Sequence, residues 1–318
     1  MKYKFIDLFC GIGGFHLALK DHASCVFASE WDKNAEKTYR MNFNVVNFAG
    51  DITKISPANI PYHDILCGGF PCQPFSVAGN QLGFNHKEQG NLFFNICDIL
   101  KEKNPNVVFL ENVKNIISHD GENTFKVILE ELHKLEYYVK YKVLNATKYG
   151  NLPQNRERIY IVGFKDINVF NKFTFPEEIP LTTKLFGDII NIDIKQEQSL
   201  YQTNLSSPSV KKMLEGVTEK YHIYQYRRYM MRKNKSGECP TLTANMGSGG
   251  HNVPLILDNF GVRKLSVKEC FKLQGYCDNY IIPNIATGHL YKQIGNSVPV
   301  TVVKRIADNI IEALNHEY

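Results

Sequence analysis

No stretch of the 318 residues approaches the ~18–20 consecutive apolar positions that a membrane-crossing helix needs, so no transmembrane helix and no membrane partner are expected. A secretory leader is not expected either. Met1–Phe9 carries Asp7 inside its apolar stretch and runs straight into a strand-like pattern, which points to a cytoplasmic chain. There are eight cysteines but no Cys-x-x-Cys pair and no His at zinc spacing beside them. That argues against a structural zinc site, any other metal site or a disulfide framework. Each cysteine reads first as a small buried apolar residue. Gly-Lys-Ser/Thr is missing, which excludes a P-loop. Repeats and low-complexity tracts are missing too, which excludes a solenoid. Charge of one sign is scarce: 37 basic against 32 acidic residues leave only +5, a total that says little about partners.

What remains is ordinary globular composition, with 43% hydrophobic and 22% charged residues. The length suggests about two domains at roughly 150 residues each. In the first half, strand-like and helix-like segments alternate. Strands are expected at Tyr3–Phe9, Cys25–Ser29, Val45–Phe48, Asp64–Gly68, Val107–Leu110, Tyr138–Leu144 and Arg158–Phe164. Helices are expected at Phe15–Lys20, Asn91–Lys103 and Thr124–Leu135. The alternation predicts an α/β fold with a parallel, doubly wound sheet. After Phe164 the chain becomes loop-rich, then basic and tyrosine-rich, then glycine-rich. Periodicity returns at Leu265–Leu273 and in a C-terminal helix, Val302–Leu314.

Phe9-Cys-Gly-Ile-Gly-Gly-Phe15 joins the first strand to the first helix. Gly11, Gly13 and Gly14 let the backbone turn tightly and let a ligand approach the helix start, with Ile12 between them. Glu30 closes the next strand and suits a ribose diol. Trp31, the only tryptophan, suits an adenine face. Asp51, followed by Ile52, could accept a bond from the adenine amino group. This pattern fits NAD, FAD or S-adenosylmethionine equally well.

One cysteine stands apart. In Cys67-Gly-Gly-Phe-Pro-Cys-Gln-Pro-Phe-Ser76, Pro71 and Pro74 stiffen the chain on both sides of Cys72. A cysteine on a stiff turn at a strand's carboxyl end is placed as nucleophiles are placed. Glu111-Asn-Val113 ends the neighbouring strand. Gln154-Asn-Arg-Glu-Arg158 adds two arginines at alternate positions, so Arg156 and Arg158 are expected to share one face.

Together these segments resemble the DNA cytosine-5 methyltransferases of bacterial restriction–modification systems. The resemblance runs over nearly the whole chain, through Phe5–Phe15, Glu30-Trp31, Asp51-Ile52, Phe70–Ser76, Glu111–Val113, Gln154–Gly163, Arg263–Tyr276 and Gln293–Pro299. It implies a Rossmann-like catalytic domain over 1–180 and 288–318, interrupted by a smaller irregular target-recognition domain over 181–287. The implied cofactor is S-adenosylmethionine, held by Phe9, Gly11, Ile12, Gly13, Gly14, Glu30, Trp31, Asp51, Ile52, Pro71, Leu92, Asn296 and Ser297.

The implied chemistry accounts for the residue types. Cytosine carbon-5 is a poor nucleophile, and thiolate attack at carbon-6 activates it. Cys72 is the implied thiolate. Glu111 would meet ring nitrogen 3 and the amino group, while Arg156 and Arg158 add positive field. The target base must leave the duplex first. Gln73 and Ser76 belong to the loop that closes over it. The family often has arginine-glycine before Leu92, where this chain has Gln89-Gly90, and Lys87 is the nearest substitute.

Lys220–Lys235 holds six basic residues and no acids, interleaved with Tyr221, Tyr224, Tyr226 and Tyr229. Basic side chains neutralise phosphates, and arginine forks onto guanine edges. Arg227, Arg228, Arg232, Asn234 and Ser236 are therefore candidate DNA contacts. Thr241, in a Thr-Leu-Thr-Ala element resembling one in the family, is implied to meet the DNA backbone. Arg263–Tyr276 reads as structural packing. The partner expected is double-stranded DNA, bound by a monomer, with a cognate restriction endonuclease as functional counterpart. Two other readings compete. A tRNA methyltransferase branch of the same family tends to carry threonine where Ser76 stands. A non-catalytic DNA-binding regulator would not need Cys72, Glu111, Arg156 and Arg158 together.

Overall fold

The computed structural model describes residues 2–71, 92–248 and 252–315. Cys72, Gln73, Ser76, Lys87 and Gln89 lie outside the described residues. The strands are β1 (Tyr3–Leu8), β2 (Ala23–Ser29), β3 (Phe48–Ala49), β4 (Ile65–Gly69), β5 (Val107–Val113), β6 (Tyr138–Asn145), β7 (Gln154–Asn155), β8 (Glu157–Phe164), β9 (Tyr224–Arg227), β10 (Met230–Lys233), β11 (Cys239–Pro240), β12 (Leu255–Asp258) and β13 (Gly261–Lys264). The helices are α1 (Gly14–Leu19), α2 (Lys33–Asn42), α3 (Leu92–Lys103), α4 (Asn123–Lys134), α5 (Ala146–Tyr149), α6 (Ile167–Lys172), α7 (Pro208–Gly216), α8 (Val267–Leu273), α9 (Thr287–Asn296) and α10 (Val300–Asn315). The chain divides into two compact units.

The first unit comprises Met1–Leu144, Glu157–Glu177 and Val303–Tyr318. Its seven-stranded sheet has the order β3-β2-β1-β4-β5-β8-β6. The chain steps outward from β1 to β3, then returns to β4 on the other side. The strand order therefore reverses between β1 and β4, where open α/β sheets bind ligands. β1, β2, β3, β4 and β5 pair in parallel. The expected all-parallel sheet is corrected at one place: β8 runs antiparallel to β5. The weak third strand also shrinks to two residues, Phe48–Ala49.

One face of this sheet buries Ile6, Leu8, Leu66, Val108, Leu110, Ile159 and Ile161 against Phe93, Ile96 and Leu100 of α3 and Ile128 and Leu132 of α4. Period-two alternation in the strands and i, i+4 spacing in α4 put these apolar groups on meeting faces. Each buried Leu, Ile or Phe contributes about 1.5–3 kcal/mol. On the other face Phe15 of α1 meets the Phe109 ring edge-on at 5.0 Å. Helix ends are closed by charge. Asp32 Oδ1 accepts from the N–H groups of Asn34 and Ala35 at the start of α2. Lys140 donates to the Phe170 and Phe173 carbonyls at the end of α6, and Lys165 to Leu135 after α4.

The second unit comprises Asn145–Arg156 and Glu178–Val302. Its sheet, β10-β9-β12-β13, is antiparallel and covers a small core of Met213, Val217, Tyr224, Tyr226, Leu255 and Val262. Polar groups do much of the remaining work. Buried Arg263 pairs through Nε with Asp258 at 2.7 Å and forks onto both oxygens of Glu269 at 2.9 and 2.8 Å. Ser266 and Glu269 close a capping box on α8. The unit takes in three stretches expected in the first domain, Asn145–Arg156, 178–180 and 288–302. The reason is local bonding: β7 pairs with β11, and Gln154 donates to the Leu273 carbonyl while accepting from the Leu242 N–H.

Candidate active site

The glycine loop after β1 is built from left-handed turns, with φ of 53° at Phe9, 54° at Gly11 and 80° at Gly13. Gly13 is required twice over: its φ favours glycine, and a Cβ there would overlap the Phe43 ring. Glu30 is buried at the end of β2. One of its oxygens accepts from the Gly11 N–H at 2.9 Å, the other from the Asp32 N–H at 2.8 Å. Burial raises its carboxyl above the ordinary value despite those two bonds. Each oxygen keeps a second lone pair. A buried carboxylate with spare acceptor capacity, beside a loop lacking side chains, fits a ligand that brings hydroxyl donors. The Gly11 N–H thus serves to hold Glu30 beside the loop.

Trp31 is 77% exposed. Asp51 Oδ1 is committed to the Thr53 N–H and hydroxyl at 3.0 and 2.7 Å, and these bonds hold its carboxyl below the usual range. Ile52 is buried in the main core, and Leu92 packs partly against it. Ile12 and Gly14 are buried in the loop and in the first turn of α1. Pro71 is exposed, two residues beyond the end of β4.

Across from the loop, Gly69 of β4 lies opposite Glu111 of β5, and Val113 opposite Arg158 of β8. Glu111 Oε1 meets Arg158 Nε at 3.0 Å, with side chains only 10% and 13% exposed. Antiparallel β8 is what brings Arg158 alongside the end of β5. Asn112, quoted in the sequence motif but given no role, is buried and donates to the Phe70 carbonyl at 2.9 Å. It ties down the chain that leads to Cys72. No pattern of one sequence marks such a bond, which joins positions 42 apart.

Arg156 is a correction. β8 begins at Glu157, so Arg156 and Arg158 do not share a strand face. Arg156 is 1% exposed, and its guanidinium donates to the Leu242, Gly295 and Ser297 carbonyls within the second unit. In that unit Asn296 is exposed, while the Ser297 hydroxyl is buried and 2.7 Å from the Tyr276 hydroxyl. The Thr241 hydroxyl donates to the Asn155 carbonyl at 2.6 Å. Asn234 Oδ1 accepts from both the N–H and the hydroxyl of Ser236, so this pair braces a turn. Arg227, Arg228 and Arg232 are exposed on the β9–β10 hairpin. Its two turn residues, Arg228 and Tyr229, have φ of 51° and 62°. Neither is glycine, and Tyr229 is 79% exposed. Strain of this kind concentrates at functional sites.

Most of the other cysteines are ordinary core residues, Cys277 being exposed. Cys10, Cys67, Cys97, Cys239 and Cys270 are buried and free, and burial pushes their thiols well up. Cys25 is pushed up to about 12. Sequence reasoning also passed over Asp7. It is fully buried in β1, its oxygens have no hydrogen-bond partner among the described residues, and burial raises it well above the carboxylate range. Among the described residues no His, Cys, Asp or Glu cluster could hold a metal ion, and no helix is long and apolar enough to cross a membrane.

Comparison with known proteins identifies the family. The C-5 cytosine-specific DNA methylase family matches residues 3–312. The chain is 48% identical to the Type II methyltransferase M.Bsp6I of Bacillus sp. (strain RFL6), over 97% of this chain and 98% of that protein. It is 42% identical to M.HhaI of Haemophilus parahaemolyticus, over 98% and 95%. Solved structures share the fold at lower identity. A Spodoptera frugiperda DNMT2 variant superposes with a TM-score of 0.72 at 20% identity, covering 97% and 99% of the two chains. Schizosaccharomyces (S. pombe) Dnmt2 gives 0.71 at 18%, covering 99% and 100%.

Proposed function

The chain belongs to the C-5 cytosine-specific DNA methylase family, and from that premise we propose how its own residues carry the reaction. It is a DNA cytosine-5 methyltransferase that uses S-adenosylmethionine. The tRNA alternative is not favoured by these relatives. The cofactor, when bound, supplies an electrophilic methyl group. Glu30 takes its ribose hydroxyls, Trp31 and Ile52 flank its base, and Phe9, Gly11 and Gly13 line its approach. Asp51 contributes through the oxygen that Thr53 leaves open. The family resemblance implies Asn296 and Ser297 as further cofactor residues, and the Ser297 hydroxyl fixes their turn through Tyr276.

The observation that carries the catalytic reading is the Glu111–Arg158 pair at 3.0 Å, beside the strand end from which the chain runs on to Cys72. Cys72 adds to carbon-6 of a flipped-out cytosine. Negative charge then builds on the ring, and Glu111 relieves it by sharing a proton with nitrogen 3, while Arg158 holds Glu111 and adds positive field. Loss of the carbon-5 proton after methyl transfer expels the thiolate. Asn112 keeps the cysteine-bearing chain at the rim.

The first unit is the catalytic domain and the second the target-recognition domain. Its exposed hairpin, with Arg227, Arg228 and Arg232 around Tyr229, grips duplex DNA. The enzyme works as a cytoplasmic monomer that protects sites from a cognate restriction endonuclease, a functional partner only. Duplex DNA containing 5-fluorocytosine tests the covalent step. The native chain should form an adduct that survives denaturation, while Cys72→Ser forms none yet still binds cofactor. An adduct in Cys72→Ser would refute the thiolate assignment. Bisulfite sequencing of DNA from expressing cells then reports the site.

A further inference from the structure

Arg156 reaches three backbone carbonyls that come from two separate parts of the second unit. One guanidinium nitrogen donates to Leu242 at 2.6 Å. The other donates to Gly295 at 3.1 Å and to Ser297 at 2.5 Å. Leu242 follows Thr241, in the segment assigned to the DNA backbone. Gly295 and Ser297 flank Asn296, in the turn assigned to the cofactor. A cation at the carboxyl end of α9 also satisfies carbonyls that the helix leaves open.

The two parts are pressed together without slack. A Cβ on Gly295 would overlap the backbone of Thr243 and Ala244. A Cβ on Gly247 would come within 2.7 Å of the Gly288 carbonyl oxygen and of Lys292 Cβ. Backbone therefore packs directly on backbone between 243–248 and α9. Both sides are gripped again by amides. Gln154 Oε1 accepts from the Leu242 N–H at 3.1 Å, and Gln274 donates to the Ile294 carbonyl at 2.8 Å. Leu242 is thus held by its N–H and its carbonyl at once. A shift of either segment by a few tenths of an ångström must be shared by the other, because a close-packed contact does not deform independently.

We infer that Arg156 is a positioning residue that sets the Thr241 segment and the Asn296 turn in one register, so that DNA and cofactor affinity depend on the same clamp. This rests on the family reading above, whose resemblance implies Thr241 at the DNA backbone and Asn296 at the cofactor. A planar fork is needed for this task. Lysine keeps the charge, but its single ammonium nitrogen cannot stand at both places that the two guanidinium nitrogens occupy.

Steady-state kinetics of the full chain test it, varying duplex DNA and S-adenosylmethionine separately. Arg156→Lys should raise both KM values together, by about tenfold each, with a smaller fall in kcat. Gly295→Ala, with Arg156 intact, should raise both in the same ratio. In Arg156→Ala, millimolar guanidinium should restore both KM values. A fall in kcat with both KM values unchanged would make Arg156 catalytic and overturn the inference. A rise in one KM only, in both variants, would also overturn it. Asn296→Ala and Thr241→Ala check the underlying assignment: the first should move the cofactor KM alone, the second the DNA KM alone. If these fail, the site assignment is wrong. If they hold while Arg156→Lys moves neither KM, the clamp is wrong.

Discussion

The two units are held together by different physics. The first is a sheet whose faces bury long apolar side chains, and its polar site groups sit only at strand ends. The second has a small apolar core, and its loops are fixed by buried polar side chains that bond distant backbone. Arg263, Arg156, Gln154 and Gln274 are all buried there and all hydrogen-bonded. A hydrophobic sheet tolerates exchange of like for like. A buried polar network does not, because losing one partner strands the others. A unit built this way has few interchangeable parts in its frame, while its exposed hairpin stays open to change.

The comparison breaks most sharply at Arg263. Arg263→Met leaves Asp258 and Glu269 buried without their cation, and should destabilise the second unit by about 3–5 kcal/mol. Calorimetry should then show an early transition, with cofactor binding by the first unit retained below it. A single unshifted transition would mean that the triad does not carry the second unit.

In the first unit, Glu30 should give a smaller effect with a pH signature. Burial raises its carboxyl, and hydroxyl donors from the cofactor favour the ionised form. Cofactor affinity should therefore fall as pH drops through the raised value and recover above it. Glu30→Gln should weaken binding by about tenfold at neutral pH and remove that dependence, as titration calorimetry across pH would show. An unchanged pH profile in the variant would remove Glu30 from the ribose.

The smallest effect concerns Asp7, a carboxyl fully buried in the apolar sheet. Its folded value lies well above 3.8, so between the two values the folded chain binds more protons than the unfolded chain. Stability is then lost as pH rises through that window. Asp7→Asn should gain on the parent in urea denaturation at pH 8 relative to pH 5. His16, lowered to about 4 by burial, contributes with the opposite sign below 6.5 but is present in both proteins and cancels. An equal gap at both pH values would place the cost of Asp7 elsewhere.

The alternation of strand and helix, the glycine turn before α1, and the rim positions of Glu30 and Glu111 were legible because they follow from short-range rules. Period two and period 3.6 sort apolar groups onto faces, and glycine marks a left-handed turn. Cys72 stood out by its two prolines. The motif residues Arg156 and Arg158 looked equivalent by the same alternation rule. They parted because the strand begins only at Glu157, and because three carbonyls from remote segments claim Arg156. Thr241 was read from its resemblance to a family element, and Asn234 and Ser236 from their place in the basic run; the fold adds that their hydroxyl and amide oxygens also bond within the second unit.

The sequence by itself determined the family, the reaction and the α/β order of the first unit, because local periodicity and closely spaced motifs write those directly into the chain. Only the tertiary structure decided that β8 turns antiparallel beside β5, that Asn112 tethers the strand exit 42 positions away, and that Arg156 bonds carbonyls of the second unit while Arg158 meets Glu111. The reason is that hydrogen bonds to backbone carbonyls recognise no side-chain identity. Any carbonyl brought within 3 Å will serve, and which one arrives is settled by the packing of the whole unit.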